Sequence, residues 1–254
     1  MEYLISSGII DSWFRKFKSC LHVDVAVVGG GPSGLVAAYY LSRNGKNTAV
    51  FERKLAPGGG MWGGAMMFNE IIVQKEATDI LNEFGIDHDY MGDDLYSADS
   101  VHAASALIYK ATQAGVRIFN CLSVEDVVLQ NECVRGLVVN WAPVHREGLH
   151  VDPLVILSSV VIDATGHDCE VARILEKKNK VQLDTPSGKV EGERSMNAFE
   201  AEKTTIENTK EIYPGLFVSG MAANGVSGRY RMGPIFGGML LSGYRAASLI
   251  LQKL

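Results

Sequence analysis

At 254 residues, with 47% hydrophobic and 21% charged, the chain is long enough to bury a sizeable core and reads as one α/β domain over residues 1–254. A formal net charge of −5 with no basic stripe argues against a nucleic-acid partner. No apolar run reaches the roughly 20 residues of a membrane-spanning helix, the amino terminus lacks the basic and apolar segments of a signal peptide, and Cys20, Cys121, Cys133 and Cys169 show no CxxC spacing, which fits a reducing cytoplasm.

In chain order, residues 4–17 set Ile5, Ile9, Ile10, Trp13, Phe14 and Phe17 near one face at helical spacing. This amphipathic amino-terminal helix either packs on its own domain or docks on a neighbouring subunit. The stretch Val23–Glu52 then carries the strongest signal. A strand at Val25–Val28 enters GGGPSG, a helix follows over Leu35–Leu41, and a second strand at Thr48–Phe51 ends on Glu52. In such a unit Gly29 allows the tight turn, Gly31 lets backbone amides approach a pyrophosphate, and Gly34 lets helix and strand pack closely. The helix amino terminus favours phosphate charge, and Glu52 is placed to bond ribose hydroxyls. The unit predicts an adenine dinucleotide.

The segment Leu55–Gly64 is too rich in glycine for a helix or strand, and Met61 and Trp62 inside it argue for contact with a ligand rather than a free surface loop. Helices are expected over Ile71–Phe84 and Ser100–Ala114. Strands are expected at Val116–Phe119, Val124–Leu129 and Cys133–Trp141, the last two as a hairpin turning near Asn131, in the manner of a meander crossing over a nucleotide-binding sheet. Prolines bound Ala142–Pro153, which reads as a loop. Leu154–Ser159 leads into a strand at Val160–Asp163 that ends in ATGHD, a second close approach to the dinucleotide. The polar stretch Lys177–Ser195 reads as a mobile, solvated excursion. Gly215–Gly220 reads as a buried strand, followed by a glycine-rich loop and a last helix starting near Pro234.

Three features point to chemistry. In flavoproteins of the fold this unit resembles, the carboxy-terminal strand ends in Gly-Asp, whose acid contacts the flavin's ribityl chain. Here the pair is Gly220-Met221, so the site suits another adenine dinucleotide better than FAD. His150-Val151-Asp152 and His167-Asp168 offer a mixed nitrogen and oxygen donor set suited to Fe(II), Mn(II) or Zn(II), with Asp152 and His167 leaving positions open; simple surface or hydrogen-bonding roles are the alternative. Arg229 and Arg231, in an otherwise apolar loop, suit bidentate capture of a carboxylate or phosphate, or a structural ion pair.

GGGPSG, Glu52-Arg53, GGGMWGG, HVDP, ATGHD and RMGPIFGGMLLSG, in this order, closely resemble the thiamine thiazole synthase family, in its sulfide-dependent archaeal and bacterial form. The resemblance implies a glutathione-reductase-like, Rossmann-type fold that takes NAD as a substrate. It implies that NAD, glycine and sulfide become an ADP-linked thiazole carboxylate with release of nicotinamide. Carried over position by position, Ser33, Glu52, Arg53 and Gly60 contact the ADP-ribose half. Val124, Met221 and His150-Val151-Asp152 also line the nucleotide, the last three from a neighbouring subunit. Asp152 and His167 hold Fe(II), and Arg231 grips the glycine carboxylate. At His150 the fungal and plant members carry a cysteine that gives up its own sulfur; imidazole has none to give, so the resemblance implies a multiple-turnover catalyst using exogenous sulfide, with Cys169 the one thiol near the site. An octamer is the implied assembly. An FAD-dependent oxidoreductase and an NAD-binding phosphosugar isomerase remain the alternatives.

Overall fold

In the computed structural model, which describes residues 1–254, the amphipathic amino-terminal segment forms α1 (Glu2–Lys18). Only its carboxy-terminal end is anchored: Phe17 is buried, stacks on Trp13 with centroids 4.8 Å apart, and meets Phe119 edge-on. Ile5, Ile9, Ile10 and Phe14 stay exposed.

The expected dinucleotide unit follows as β1 (His22–Val28), α2 (Pro32–Arg43) and β2 (Thr48–Glu52). Pro32 opens the helix, where a missing N–H costs nothing. Gly29 turns at φ +99°, and a Cβ there would strike the Ala164 carbonyl; a Cβ on Gly34 would fall onto the Gly29 carbonyl oxygen. These two positions seat α2 directly on the turn after β1.

The expected helix over Ile71–Phe84 is corrected. Glu70–Gln74 is β3, and only Thr78–Phe84 is helical, as α3. Ile71 and Val73 are buried while Glu70 is exposed and Ile72 half-buried, a period of two that β-branched side chains favour. With β4 (Asp89–Gly92) and β5 (Leu95–Asp99) this strand makes a separate antiparallel sheet in the order β3-β5-β4. The helix α4 (Ser100–Gln113) comes where expected, capped by Asp99, whose carboxylate accepts the His102 amide at 2.6 Å.

Next come β6 (Arg117–Asn120) and the expected hairpin, β7 (Leu122–Gln130) and β8 (Cys133–Trp141), turning through Asn131 and Glu132 in left-handed conformations. The segment read as a loop from Ala142 to Pro153 begins with a short helix, α5 (Ala142–Arg146), for which Pro143 is compatible in the first turn. Leu154–Asp163 is a single strand, β9, rather than a lead-in and a short strand. Leu154–Leu157 pairs antiparallel with β8, and the rest runs parallel to β1. The meander β7-β8-β9 therefore forms the crossover back to the main sheet.

The remaining elements are α6 (Glu170–Asn179), β10 (Arg194–Met196), α7 (Ala198–Glu207), β11 (Glu211–Tyr213), β12 (Leu216–Val218), α8 (Met221–Val226), β13 (Tyr230–Arg231) and α9 (Gly237–Lys253). Pro234 precedes the last helix by three residues. The mobile excursion expected at 177–195 is also corrected. Its first residues finish α6, Leu183 is buried, and the amides of Glu191, Gly192 and Arg194 bond the carbonyls of Val226, Gly225 and Arg229. Backbone pairing to the α8 region, invisible in composition, fixes this polar stretch.

The main sheet runs β11-β12-β9-β1-β2-β6, parallel from β12 to β6, with the hairpin attached through β9. Val25 and Val27 of β1 enter the core beneath α2, α4 and α9, while Ala26 and Val28 enter the core beneath the meander and α6. Burial on both faces explains why the strand reads as a continuous apolar run. No helix is long and apolar enough to cross a membrane.

Candidate active site

The carboxy-terminal ends of β1, β2 and β9 and the amino terminus of α2 converge on a cleft of about 1220 Å³, the place where open parallel sheets hold ligands. The first intrahelical bond of α2 runs from the Leu35 amide to the Gly31 carbonyl at 2.9 Å, so the Ser33 and Gly34 amides before it have no helical partner and favour an anion. Nothing lies within 4 Å of where a Gly31 Cβ would be, which leaves the backbone open to close approach. Glu52 is almost fully buried at the cleft floor. One carboxylate oxygen accepts the Gly30 amide at 2.8 Å and the other the Lys54 amide at 2.8 Å. Each oxygen keeps a lone pair for a ribose hydroxyl.

The end of β9 is organised by Asp163, which is wholly buried. Its oxygens accept from the Thr165 hydroxyl at 2.7 Å and the Ala172 amide at 3.0 Å, tying the ATGHD loop to the start of α6. Burial pushes its carboxyl up from the ordinary value, against the pull of these bonds. At the cleft rim Arg53 donates to Asp168 at 2.6 Å and lies 3.7 Å from Glu170. The bond to Asp168 is the main reason its guanidinium is held above its already high ordinary pKa.

His167 projects into the cleft from the same loop. Its Nδ1 lies 2.6 Å from Oε1 of Glu193, and its Nε2 has no hydrogen-bond partner in the chain. Glu193 is a cleft residue that sequence reading missed, because its segment read as solvated surface. Cys169, two residues past His167, is fully buried; its thiol points at the carbonyls of Gly166, His167 and Ala222, each 3.7 Å away, and burial pushes its pKa up to about 12. Met221 opens α8 at the cleft wall.

Of the residues singled out in the sequence, Ser33, Glu52, Arg53, Gly60, Val124, His167, Met221 and Arg231 line this one cleft. His150, Val151 and Asp152 do not. They lie exposed between α5 and β9, where the Asn140 amide holds the Val151 carbonyl at 2.9 Å. Within one chain Asp152 and His167 therefore do not share the cleft, and no three histidine, cysteine, aspartate or glutamate side chains gather to hold a metal. The apolar loop expected around Arg229 and Arg231 does not bury them: both are exposed, where β13 runs along the surface beside β10, and only Arg231 faces the cleft.

The sequence profile of the Thi4 family matches residues 6–236. The chain is 56% identical over 253 residues to the thiamine thiazole synthase of Desulfosudis oleivorans, covering 100% of this chain and 98% of that one. It is 53% identical over 250 residues to that of Methanothermobacter thermautotrophicus, covering 98% and 97%. The crystal structure of Thermovibrio ammonificans THI4 superposes with a TM-score of 0.96 at 48% identity, over 100% of this chain and 98% of that one. The chain belongs to the Thi4 family, whose members at about half identity to it bear the name thiamine thiazole synthase.

Proposed function

We propose that this chain makes the thiazole of thiamine from NAD, glycine and exogenous sulfide, releasing nicotinamide and leaving an ADP-linked thiazole carboxylate. The observation that carries the reading is a single cleft in which a dinucleotide cradle faces His167 and Arg231, with Met221 in place of a ribityl-binding acid. The open amides at α2 and the half-satisfied Glu52 suit pyrophosphate and ribose, the part of NAD that survives in the product. Arg231, exposed at the cleft edge, suits a small carboxylate such as that of glycine.

The sulfur source follows from two residues. His150 carries no sulfur, and the Cys169 thiol is sealed in the protein and un-ionised at neutral pH. Both observations speak against a protein-borne sulfur and favour sulfide from solution and repeated turnover. The donor chemistry also fits Fe(II): His167 presents a free ring nitrogen, and an exposed Asp152 carboxylate is available to a second copy. In this reading His167 of one subunit and Asp152 of its neighbour, with His150 and Val151 beside it, complete a shared site in a homo-octamer. Bound there, Fe(II) would supply Lewis-acid and templating chemistry.

The test is anaerobic incubation of the protein with NAD, glycine, sulfide and Fe(II), followed by mass detection of the adenylated thiazole. More than one product per subunit is expected, and none without sulfide. Well-folded protein that makes no thiazole under these conditions overturns the proposal.

A further inference from the structure

Glu193 has no place in the reading above, yet it makes the one specific side-chain contact to His167. Its Oε1 sits 2.6 Å from Nδ1, and its side chain is 19% exposed against 48% for the imidazole. The carboxylate is thus the more fixed partner. It is held from both sides along the backbone: the Gly192 amide bonds the Gly225 carbonyl at 3.0 Å and the Arg194 amide bonds the Arg229 carbonyl at 2.9 Å. A Cβ on Gly225 would lie 3.6 Å from Glu193 Cγ, so α8 forms a close wall behind the side chain.

We infer that Glu193 is the positioning carboxylate of His167. It accepts the Nδ1 proton, which fixes the tautomer whose bare Nε2 faces the cleft and aims that nitrogen at a divalent cation. A histidine carrying its proton on Nε2, or free to rotate, offers the cleft a donor or a mobile ring instead. Carboxylates that hold a ligating imidazole through its other nitrogen raise metal affinity by roughly 10–100-fold. The inference rests on the metal reading given above and adds the residue that makes His167 a ligand.

The experiment is anaerobic Fe(II) titration of the full-length protein as a double-mutant cycle, with Glu193→Ala, His167→Ala and the pair. Binding of ADP to each variant reports whether the cleft is folded. Glu193→Ala is expected to weaken Fe(II) binding by roughly 10–100-fold with ADP binding unchanged, and to have no further effect once His167 is alanine. Glu193→Gln is expected to fall nearer the wild type, because its amide oxygen can still accept the Nδ1 proton. Unchanged Fe(II) affinity in Glu193→Ala overturns the inference and leaves the metal reading intact. An equal further loss in the His167→Ala background overturns it by making Glu193 a ligand in its own right. Fe(II) binding that is indifferent to His167→Ala overturns the inference and the metal reading together.

Discussion

Cys169 and Glu193 both contact His167, and burial separates their fates. Cys169 faces three backbone carbonyls and no solvent, and with a pKa of about 12 roughly one thiol in 10⁵ is ionised at neutral pH. Since the thiolate is the nucleophile, burial disfavours chemistry at this sulfur despite its nearness to the site. Cys169→Ser keeps a small donor for the same carbonyls and is expected to leave multiple-turnover thiazole formation within about twofold of wild type. Protein mass after many turnovers is expected to be unchanged in both. A wild-type subunit lighter by the mass of H₂S would reverse this. Position in the chain made Cys169 legible as a suspect, but its burial is a property of α8 packing over the loop. Glu193 was illegible for the opposite reason: it sits among lysines and glycines 26 residues from its partner, and only pairing to the α8 region delivers it to the cleft.

Between elements, the joint of α7 with α9 carries a buried acid. Glu202 accepts the Gly238 amide with one oxygen, while its other oxygen and Oε1 of Gln74 have no partner. Burial pushes its pKa up to about 7 from an ordinary 4.5, opposed by the Gly238 bond and the neighbouring Gln74 side chain and slightly aided by the charge of Glu76. In the folded chain the carboxyl keeps its proton up to about pH 7, and in the unfolded chain only to about 4.5. Raising the pH through that window therefore favours unfolding, by at most about 3 kcal/mol. Glu202→Gln removes the proton and gives Gln74 a donor. Its urea midpoint relative to wild type is expected to rise steadily from pH 4.5 to 8, and parallel curves would refute the assignment. Where α2 meets β1, Gly34→Ala would drive a methyl into the Gly29 carbonyl. It is expected to cost about 2–4 kcal/mol in the same unfolding measurement, through displacement of α2 from β1. The α2 unit was legible because glycine spacing encodes backbone contact. The joint at Glu202 was not, since α7 was not read and β3 was read as the start of a helix: Ile71-Ile72-Val73 suits both periods, and only pairing with β5 decides for the strand.

At the scale of the whole molecule, the cleft gathers eight of the residues singled out in the sequence and leaves out His150, Val151 and Asp152. The family resemblance made all eleven legible as a set and implied that the last three serve a neighbouring copy, although linear order by itself carries no such information. The surface agrees with that expectation. Ile5, Ile9, Ile10 and Phe14 form an exposed apolar stripe on α1, and Val151, Val155 and Leu157 are exposed around the Asp152 loop, more apolar surface than an isolated subunit needs. If the Asp152 loop completes the cleft of a neighbour, two inactive variants are complementary. Asp152→Ala subunits retain His167, and His167→Ala subunits retain Asp152. Neither variant alone is expected to form thiazole. Co-expressed in equal amounts and assembled at random, they are expected to recover activity toward about a quarter of wild type, the fraction of shared sites that pair an intact His167 with an intact Asp152. Mixing the two as separately assembled, non-exchanging oligomers is expected to recover none. Activity that stays absent in the co-assembled protein, with both variants folded and binding ADP, would place Asp152 and His167 in service of the same subunit or of no common site.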